Sequence, residues 1–418
     1  MKIEKSPQEL YAERTKRVED ATQLRVPDRV PVLLHFAFFP ANYAGITCAE
    51  AMYDDDKMRM AWVKTFTDFQ PDMCENPFTI RFLGPVLEAL DSKQLKWPGH
   101  GVGPMSTYQF VEGEYMKAEE YDAFLSDLSD YMVRTYWPRI FGALEPLKTL
   151  APLHELVSYY MGMTHLALLN TPEVRNALEA LLKAAVEARR MVSGALAYAE
   201  EMKQLGFPLQ FGALTEAPFD MIADFFRGTQ GVMLDIFRNP DKLIEATEKM
   251  SPIVLHIGAS GAKRTGVPRV FIPLHKGDDS FMSLEQFKTF YWPGLRKLML
   301  ELINEGLTPC PLFEGDYTSR LEIIADIPKG KACYAFERTD IFKAKEVLGD
   351  HVCIRGNVPA SLLCAGTPDE VKNHCKRLID VVGKGGGYIM DAGSCLDEAK
   401  PENVRALIDF TKEYGIYS

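Results

Sequence analysis

The sequence predicts an α/β fold, a (β/α)8 TIM barrel with an inserted cap and an extra N-terminal helix, and three observations carry the prediction. Short apolar runs alternate with amphipathic helical stretches through about the last two hundred residues, the order expected of parallel β and α units. Each run ends in a polar residue, at the end of the strand where such barrels keep their functional groups. No internal repeat or linker breaks the pattern, so residues 1–418 read as one elaborated domain. A doubly wound open sheet is the alternative, because alternation alone does not show closure.

Along the chain, MKIEKSPQELYAERTKRVED is charged and helical in pattern, and supplies the extra helix. RVPVLLHFAFF (29–39) reads as the first strand and FQPDMCENPF (69–78) as the second. Between them Thr47-Cys48-Ala49-Glu50 has the form of a capping box, in which hydroxyl and carboxylate satisfy exposed N–H groups at a helix start. Residues 80–170 mix Gly, Pro and aromatic residues, as in KWPGHGVGPMSTYQF, and are assigned to a cap over the barrel mouth. Thr171-Pro172 opens one long helical region, 171–205, since proline at a first helical position forfeits no bond. Six further strands follow: FPLQFGALTE, VPRVFIPLH, LTPCPLFEG, KACYAFER, HVCIRGN and GGYIMDAG. Each has the length of a buried parallel strand. Ser283 to Gln286 and Thr367 to Glu370 are two more capping boxes between them.

Composition removes several classes of function. The 418 residues are 47% hydrophobic, enough for a large core, and carry a formal net charge of −11. Lys and Arg are scattered, which gives no footprint for nucleic acid or an anionic membrane. There is neither a signal-peptide pattern nor a run of about 18 apolar residues, so a cytoplasmic enzyme is expected. Eight cysteines, never spaced CxxC, fit neither a disulfide scaffold nor a zinc ribbon. GxGxxG and GxxxxGK[ST] are both missing, and the glycine-rich GKGGGY precedes a strand, as a turn would.

The strand ends name the candidate site: His35, Glu75, Asn76, Glu216, Asp220, His275, Glu314, Asp316, Glu337, Arg338, Asp340, Asn357, Asp391 and Cys395. Glu314, His275 and Asp316 are expected to do the chemistry. Glu216, His35, Asn76, Glu337, Arg338, Asn357 and Asp391 are expected to bind substrate. Two arrangements of the Glu314-Gly315-Asp316 corner stay open. Glu314, His275 and Cys395 could ligate zinc, or the carboxyl groups could form a proton-donating cluster with His275. Each candidate also has a structural reading: Asp316 as a cap of the following helix, Arg338 and Asp340 as a mutual pair, Asn357 as a turn stabiliser, and Glu216 or Asp220 as a cap beside Pro218. His351-Val352-Cys353 has the spacing of two ligands on one strand face, but lies at the stability end of its strand. His374 and Cys375 are helix neighbours that point apart.

HKGDDSFMSLEQFKTFYWPGLRKLM, LTPCPLFEGDYTSRLE, the GNVP-LL-GTP stretch and the closing GGYIMDAGSCLDEAKPEN together resemble the uroporphyrinogen decarboxylase superfamily. The likeness covers about residues 205–418 well and the first eighty loosely. It implies a (β/α)8 barrel and one of two chemistries: cofactor-free decarboxylation of porphyrinogen acetate groups, or methyl transfer to or from a corrinoid protein, usually with zinc. The departures favour the methyltransferase branch. No arginine occurs from 30 to 58, where the decarboxylases carry substrate-holding arginines, and Met73-Cys74-Glu75-Asn76 replaces their Phe-Ser-Asp. Leu312 and Glu314 stand where the methyltransferases have the His and Cys of His-x-Cys-Gly, and Cys395 sits near their later Cys. The resemblance therefore implies demethylation of a small methylated substrate, a methyl ether or methylamine, with the methyl group passed to a separate corrinoid protein. The chain has no Asp-x-His-x-x-Gly corrinoid-binding sequence of its own. Zinc is an open expectation, as is a homodimer. A metal-free lyase and a non-catalytic barrel scaffold are the other readings.

Overall fold

The computed structural model describes residues 5–417, the Ile80 side chain excepted. Six parallel strands run in the order 213–214, Arg269–Leu274, Thr308–Phe313, Cys333–Phe336, Cys353–Arg355 and Tyr388–Ile389. Two extended segments near 30–34 and 72–75 close this sheet into a ring. Val32 bridges Met390 in parallel, with Leu33 N donating to Met390 O at 3.0 Å and Met390 N to Pro31 O at 2.8 Å. Asp72 N donates to Val32 O at 3.0 Å, and Cys74 bridges Leu209, with Gln210 N donating to Cys74 O at 2.8 Å. Gly212 N then reaches Arg269 O at 2.8 Å, completing an eight-membered circuit of strands. The fold is the expected (β/α)8 barrel rather than an open sheet. Its strands are almost wholly buried, which is why they read as continuous apolar runs rather than alternating ones.

All three capping boxes form as the sequence predicts, at Thr47/Glu50, Ser283/Gln286 and Thr367/Glu370. The N-terminal helix, Pro7–Thr22, has a fourth at Ser6/Glu9. Its Val18 and Ala21 pack with Leu33, Met73, Cys310, Cys333, Cys353 and Ile389, closing the barrel floor at the strand starts. An ion network pins it there. Arg17 Nη1 donates to Asp72 Oδ1 at 2.7 Å, Arg29 Nη1 and Nη2 reach the two Asp72 oxygens at 2.9 and 2.8 Å, and Val32 N adds a bond of 2.7 Å to Oδ2. Burial works against the Asp72 charge, but these donors outweigh it and hold the carboxyl below its usual range.

The segment expected to be a cap contains the Gly84–Leu90 helix, a small three-stranded sheet and a series of short helices. Trp97, Phe124, Tyr131, Tyr136 and Ile140 join it to the main core. A second cluster, Leu90, Leu144, Leu147, Val174, Ala177 and Ala184, fastens it to the long helix Pro172–Gln204. At 33 residues that helix is about 50 Å long, well beyond the length of a barrel strand. No helix among the described residues is long and apolar enough to cross a membrane.

Candidate functional site

The polar groups at the C-terminal strand ends separate into two clusters on opposite arcs of the barrel mouth. The first comes from the third, fourth and fifth strands. His275 follows Arg269–Leu274, and its Nδ1 lies 2.5 Å from Asp224 Oδ2. Its Nε2 lies 3.8 Å from Glu314 Oε1, just past the end of Thr308–Phe313. Asp220 fixes the turn beneath by accepting from His275 N at 3.0 Å, Lys276 N at 3.1 Å and the Tyr291 hydroxyl at 2.6 Å. Lys276 Nζ stands 3.3 Å from the other Asp224 oxygen. Glu216 completes the group at 9% exposure, and its Oε2 is buried without a hydrogen-bond partner among the described residues.

Crowding shows in the protonation of these groups. Burial, then the negative charges of Asp220, Asp224 and Glu314, push Glu216 up to about 8 against the pull of His275. Burial and Asp224 push Asp220 up to about 6. For His275 burial opposes the charged form, yet Asp224 and Asp220 overcome it and carry the imidazole up to about 10. Glu314 is also raised, by burial and by Glu337, against the pull of His275. At neutral pH the cluster therefore carries protons on His275 and Glu216.

The second cluster comes from the first, second, seventh and eighth strands. His35 Nδ1 lies 2.9 Å from Glu75 Oε1, and its Nε2 lies 3.1 Å from Arg81 Nη2. Burial opposes protonation of His35, but Glu75 and Cys395 carry the imidazole up to about 10, and its Nδ1 proton is given to Glu75. Burial opposes the Glu75 charge, but His35 and Arg81 hold it down to about 2. Deeper in the mouth Arg355 Nε donates to Asp391 Oδ2 at 2.6 Å and Arg355 Nη2 to Gln210 Oε1 at 3.1 Å.

Between the clusters lies a cavity of about 150 Å3. Phe211, Phe271, Leu312, Cys310, Cys333 and Ala335 form its apolar wall, and His35, Glu314, Glu337, Asp391 and Cys395 stand among the polar groups around it. Small residues at 310, 333 and 335 leave this space open. The Glu314 corner depends on Gly315, whose φ is +88° and whose missing Cβ would fall on the Asp278 carboxylate. Gly315 N in turn donates to Glu337 Oε2 at 2.7 Å, which holds the corners of the fifth and sixth strands together.

Several predicted members have other duties. Asp316 is exposed and accepts from Thr318 N at 2.8 Å and Thr318 Oγ1 at 2.5 Å, so it caps the following turn instead of joining His275. Asn76 bonds Ala195 O and Phe78 N, and Asn357 bonds Glu337 O and Thr339 O; both side chains are spent on backbone. Arg338 points outward with 69% of its side chain exposed, and Asp340 caps the Ile341–Leu348 helix rather than pairing with it. Cys395 is placed beside His35, not with Glu314 and His275, because the eighth strand neighbours the first across the mouth from the fourth and fifth. His351 is exposed while Cys353 is buried, so they share no site. Asp224, Arg81 and Arg355 were not among the sequence candidates. Asp224 had a legible signal, since it follows Asp220 by four residues on one helical face in APFDMIAD. As a cap, Asp316 should be dispensable: Asp316→Ala is expected to lower stability by about 1 kcal/mol or less and leave kcat within about twofold, measured by thermal unfolding and turnover.

Comparison with known proteins supplies the lineage. The model of the family described as Uroporphyrinogen decarboxylase (URO-D) matches residues 168–414. Uroporphyrinogen decarboxylase of Chlorobium phaeobacteroides is 31% identical over 145 residues, covering 33% of this chain and 40% of that protein. The Methylococcus capsulatus enzyme of the same name is 26% identical over 183 residues, covering 43% and 51%. The matches thus span about half or less of these relatives' length. Among solved structures, a methyltransferase from Methanosarcina mazei superposes with a TM-score of 0.62 at 17% identity, covering 96% of this chain and 98% of that one. That likeness is one of fold.

Proposed function

The chain belongs to the uroporphyrinogen decarboxylase (URO-D) family, and on that premise we propose that it demethylates a small methylated substrate, a methyl ether or similar compound, and hands the methyl group to a corrinoid protein. The observation that carries the reading is the cluster of His275, Asp224, Glu216 and Glu314 beside a small, apolar-walled cavity. About 150 Å3 lies well below the roughly 300–1,000 Å3 of pockets that enclose drug-sized ligands. That is small for a tetrapyrrole with eight carboxylates. Of the arginines near the cavity, Arg355 is engaged by Asp391 and Gln210, while Arg81 faces the His35 ring and keeps a buried Nε without a partner among the described residues.

A methyl ether does not release its oxygen as an alkoxide at neutral pH, so a proton must reach that oxygen as the carbon–oxygen bond breaks. In the proposed reaction the apolar wall of Phe211, Phe271 and Leu312 holds the substrate body. His275, held as imidazolium by Asp224, and Glu314, 3.8 Å away, direct a proton to the leaving oxygen. A corrinoid on the partner protein supplies the nucleophile for the methyl carbon. The cytoplasm is the compartment assigned to this reaction.

The test is to incubate the protein with Co(I) corrinoid and a panel of small methyl ethers and methylated amines, following loss of the substrate. Consumption of at least one substrate, dependent on the corrinoid, is expected. The names of the curated relatives favour a second reading, decarboxylation, for which uroporphyrinogen is the direct substrate. Incubation with it is expected to give no coproporphyrinogen above a no-enzyme control, and a clear product would put the lyase first. Ala335→Phe gives a further prediction. The ring would fill the cavity at a cost of about 1–3 kcal/mol in stability and lower kcat/KM at least about tenfold, chiefly through KM.

A further inference from the structure

We propose that Arg81, with His35 beside it, holds a carboxylate carried by the substrate, so that the methylated compound taken by this site is a small carboxylic acid. The inference rests on the reading above and deepens it by naming the group at the end of the substrate away from His275 and Glu314. Arg81 lies just past the second strand, in the single turn Ile80–Phe82, and is 7% exposed. Its Nη1 meets Thr79 Oγ1 at 3.3 Å and its Nη2 meets His35 Nε2 at 3.1 Å, while its Nε is buried with no hydrogen-bond partner among the described residues. The acids around it are spent elsewhere. Glu75 accepts from His35 Nδ1 at 2.9 Å and from Phe36 N at 3.1 Å, and Asp397 accepts from Phe38 N at 2.6 Å.

Geometry selects a carboxylate. Nε and Nη2 are the two donors on one edge of the planar guanidinium, the edge that takes a pair of oxygens side-on. Arg355 spends that same edge inside this barrel, with Nε on Asp391 Oδ2 at 2.6 Å and Nη2 on Gln210 Oε1 at 3.1 Å. In Arg81 one half of the edge has no acceptor and the other points at a ring nitrogen. Burial opposes the His35 charge, yet Glu75 and Cys395 keep the imidazole protonated, so Nε2 is itself a donor and two donors face each other at 3.1 Å. An anionic oxygen accepts from both and removes the conflict. The site meets the cavity at His35, which lines it with Cys395. From the His35 ring the wall continues as Phe271, stacked at 6.0 Å, and then Phe211, 4.9 Å from Phe271. A small apolar body on this wall has its acid at His35 and Arg81 and its methylated heteroatom at His275 and Glu314. One guanidinium and one imidazolium suit a single carboxylate, not the eight of a uroporphyrinogen.

Binding is measured without corrinoid or turnover, so this inference and the methyltransferase reading can fail separately. The full-length protein is titrated by calorimetry at pH 7 with para-methoxybenzoate and with methoxyacetate, each against its neutral amide. At least one acid is expected to bind at least about tenfold more tightly than its amide, the scale of one charge-assisted hydrogen bond. Arg81→Met should bring acid and amide within about twofold of each other, whereas Asp316→Ala should keep the full preference. Arg81→Lys decides should Arg81→Met fail to fold, as thermal unfolding will show: an ammonium supplies charge without the fork, and the preference should fall at least about threefold. No preference for acid over amide in either pair, or an undiminished preference in folded Arg81→Met or Arg81→Lys, would overturn the assignment. A preference that depends on Arg81, in a protein that demethylates nothing, would support the carboxylate site and sink the methyltransferase reading alone.

Discussion

Glu314→Gln is expected to lower turnover by about 10²- to 10⁴-fold, the range in which a positioned acid or base contributes, while leaving the fold intact. Structure dictates both halves of that expectation. The Glu314 side chain is 44% exposed and lies 3.8 Å from His275 Nε2, and among the described residues it accepts no backbone hydrogen bond. The backbone corner is held by other groups: Gly315 N on Glu337, and Glu314 N on Leu312 O at 3.1 Å. Glutamine keeps the shape but lacks the negative charge that steadies the His275 imidazolium. Circular dichroism and the unfolding midpoint should match wild type. A well-folded variant with normal kcat would remove Glu314 from the chemistry and leave the corner a structural turn.

The second large effect is on stability. Asp72→Ala should destabilise the protein by about 3–5 kcal/mol, the cost of breaking a buried ion pair from one side. Arg29, with 15% of its side chain exposed, would then lose its carboxylate, and Arg17, 3% exposed, would keep only Asp28 and Glu13. The N-terminal helix would lose its hold on the first two strands. The pH dependence has a definite sign. The folded Asp72 carboxyl lies below its unfolded value, so its contribution is present above the ordinary aspartate range near pH 4 and is lost as pH falls through the folded value. Denaturant unfolding at pH 7 and at about pH 3 should therefore differ much less in Asp72→Ala than in wild type. An unchanged midpoint in the variant at pH 7 would show that Asp28 and Glu13 suffice for Arg17 and that Arg29 does not need Asp72.

Legibility in the sequence followed burial. All eight strands could be placed because a parallel strand covered on both faces becomes an unbroken apolar run, as in VFIPL and ACYAF, and because hydroxyl-acid pairs mark the helix starts. Glu314, His275, Glu216, His35 and Asp391 were legible as strand-end residues, and all five lie in the mouth. The same rule over-counted. A polar residue one step further along, such as Asp316, Asn357 or Asp340, meets the N–H groups of the next turn or a neighbouring carbonyl before it meets the cavity. Asp224 was missed because it belongs to the helix after a strand, not to the strand end, and reaches His275 only through the packing of Pro218–Ile222 against the mouth. The placement of Cys395 by His35 required knowing that the ring closes between its first and eighth strands, which spacing along the chain does not encode.

The measurement that bears most directly on the methyltransferase reading is the fate of a labelled methyl group. A small methyl ether carrying deuterium in its methyl group is incubated with the protein and a Co(I) corrinoid protein, and the corrinoid and residual alcohol or phenol are analysed by mass spectrometry. The account predicts label on the corrinoid in one-to-one ratio with demethylated product, formed at least about 10²-fold more slowly when Glu314→Gln replaces wild type. Release of carbon dioxide from a carboxylated substrate, with no label reaching the corrinoid from any methylated compound, would contradict it.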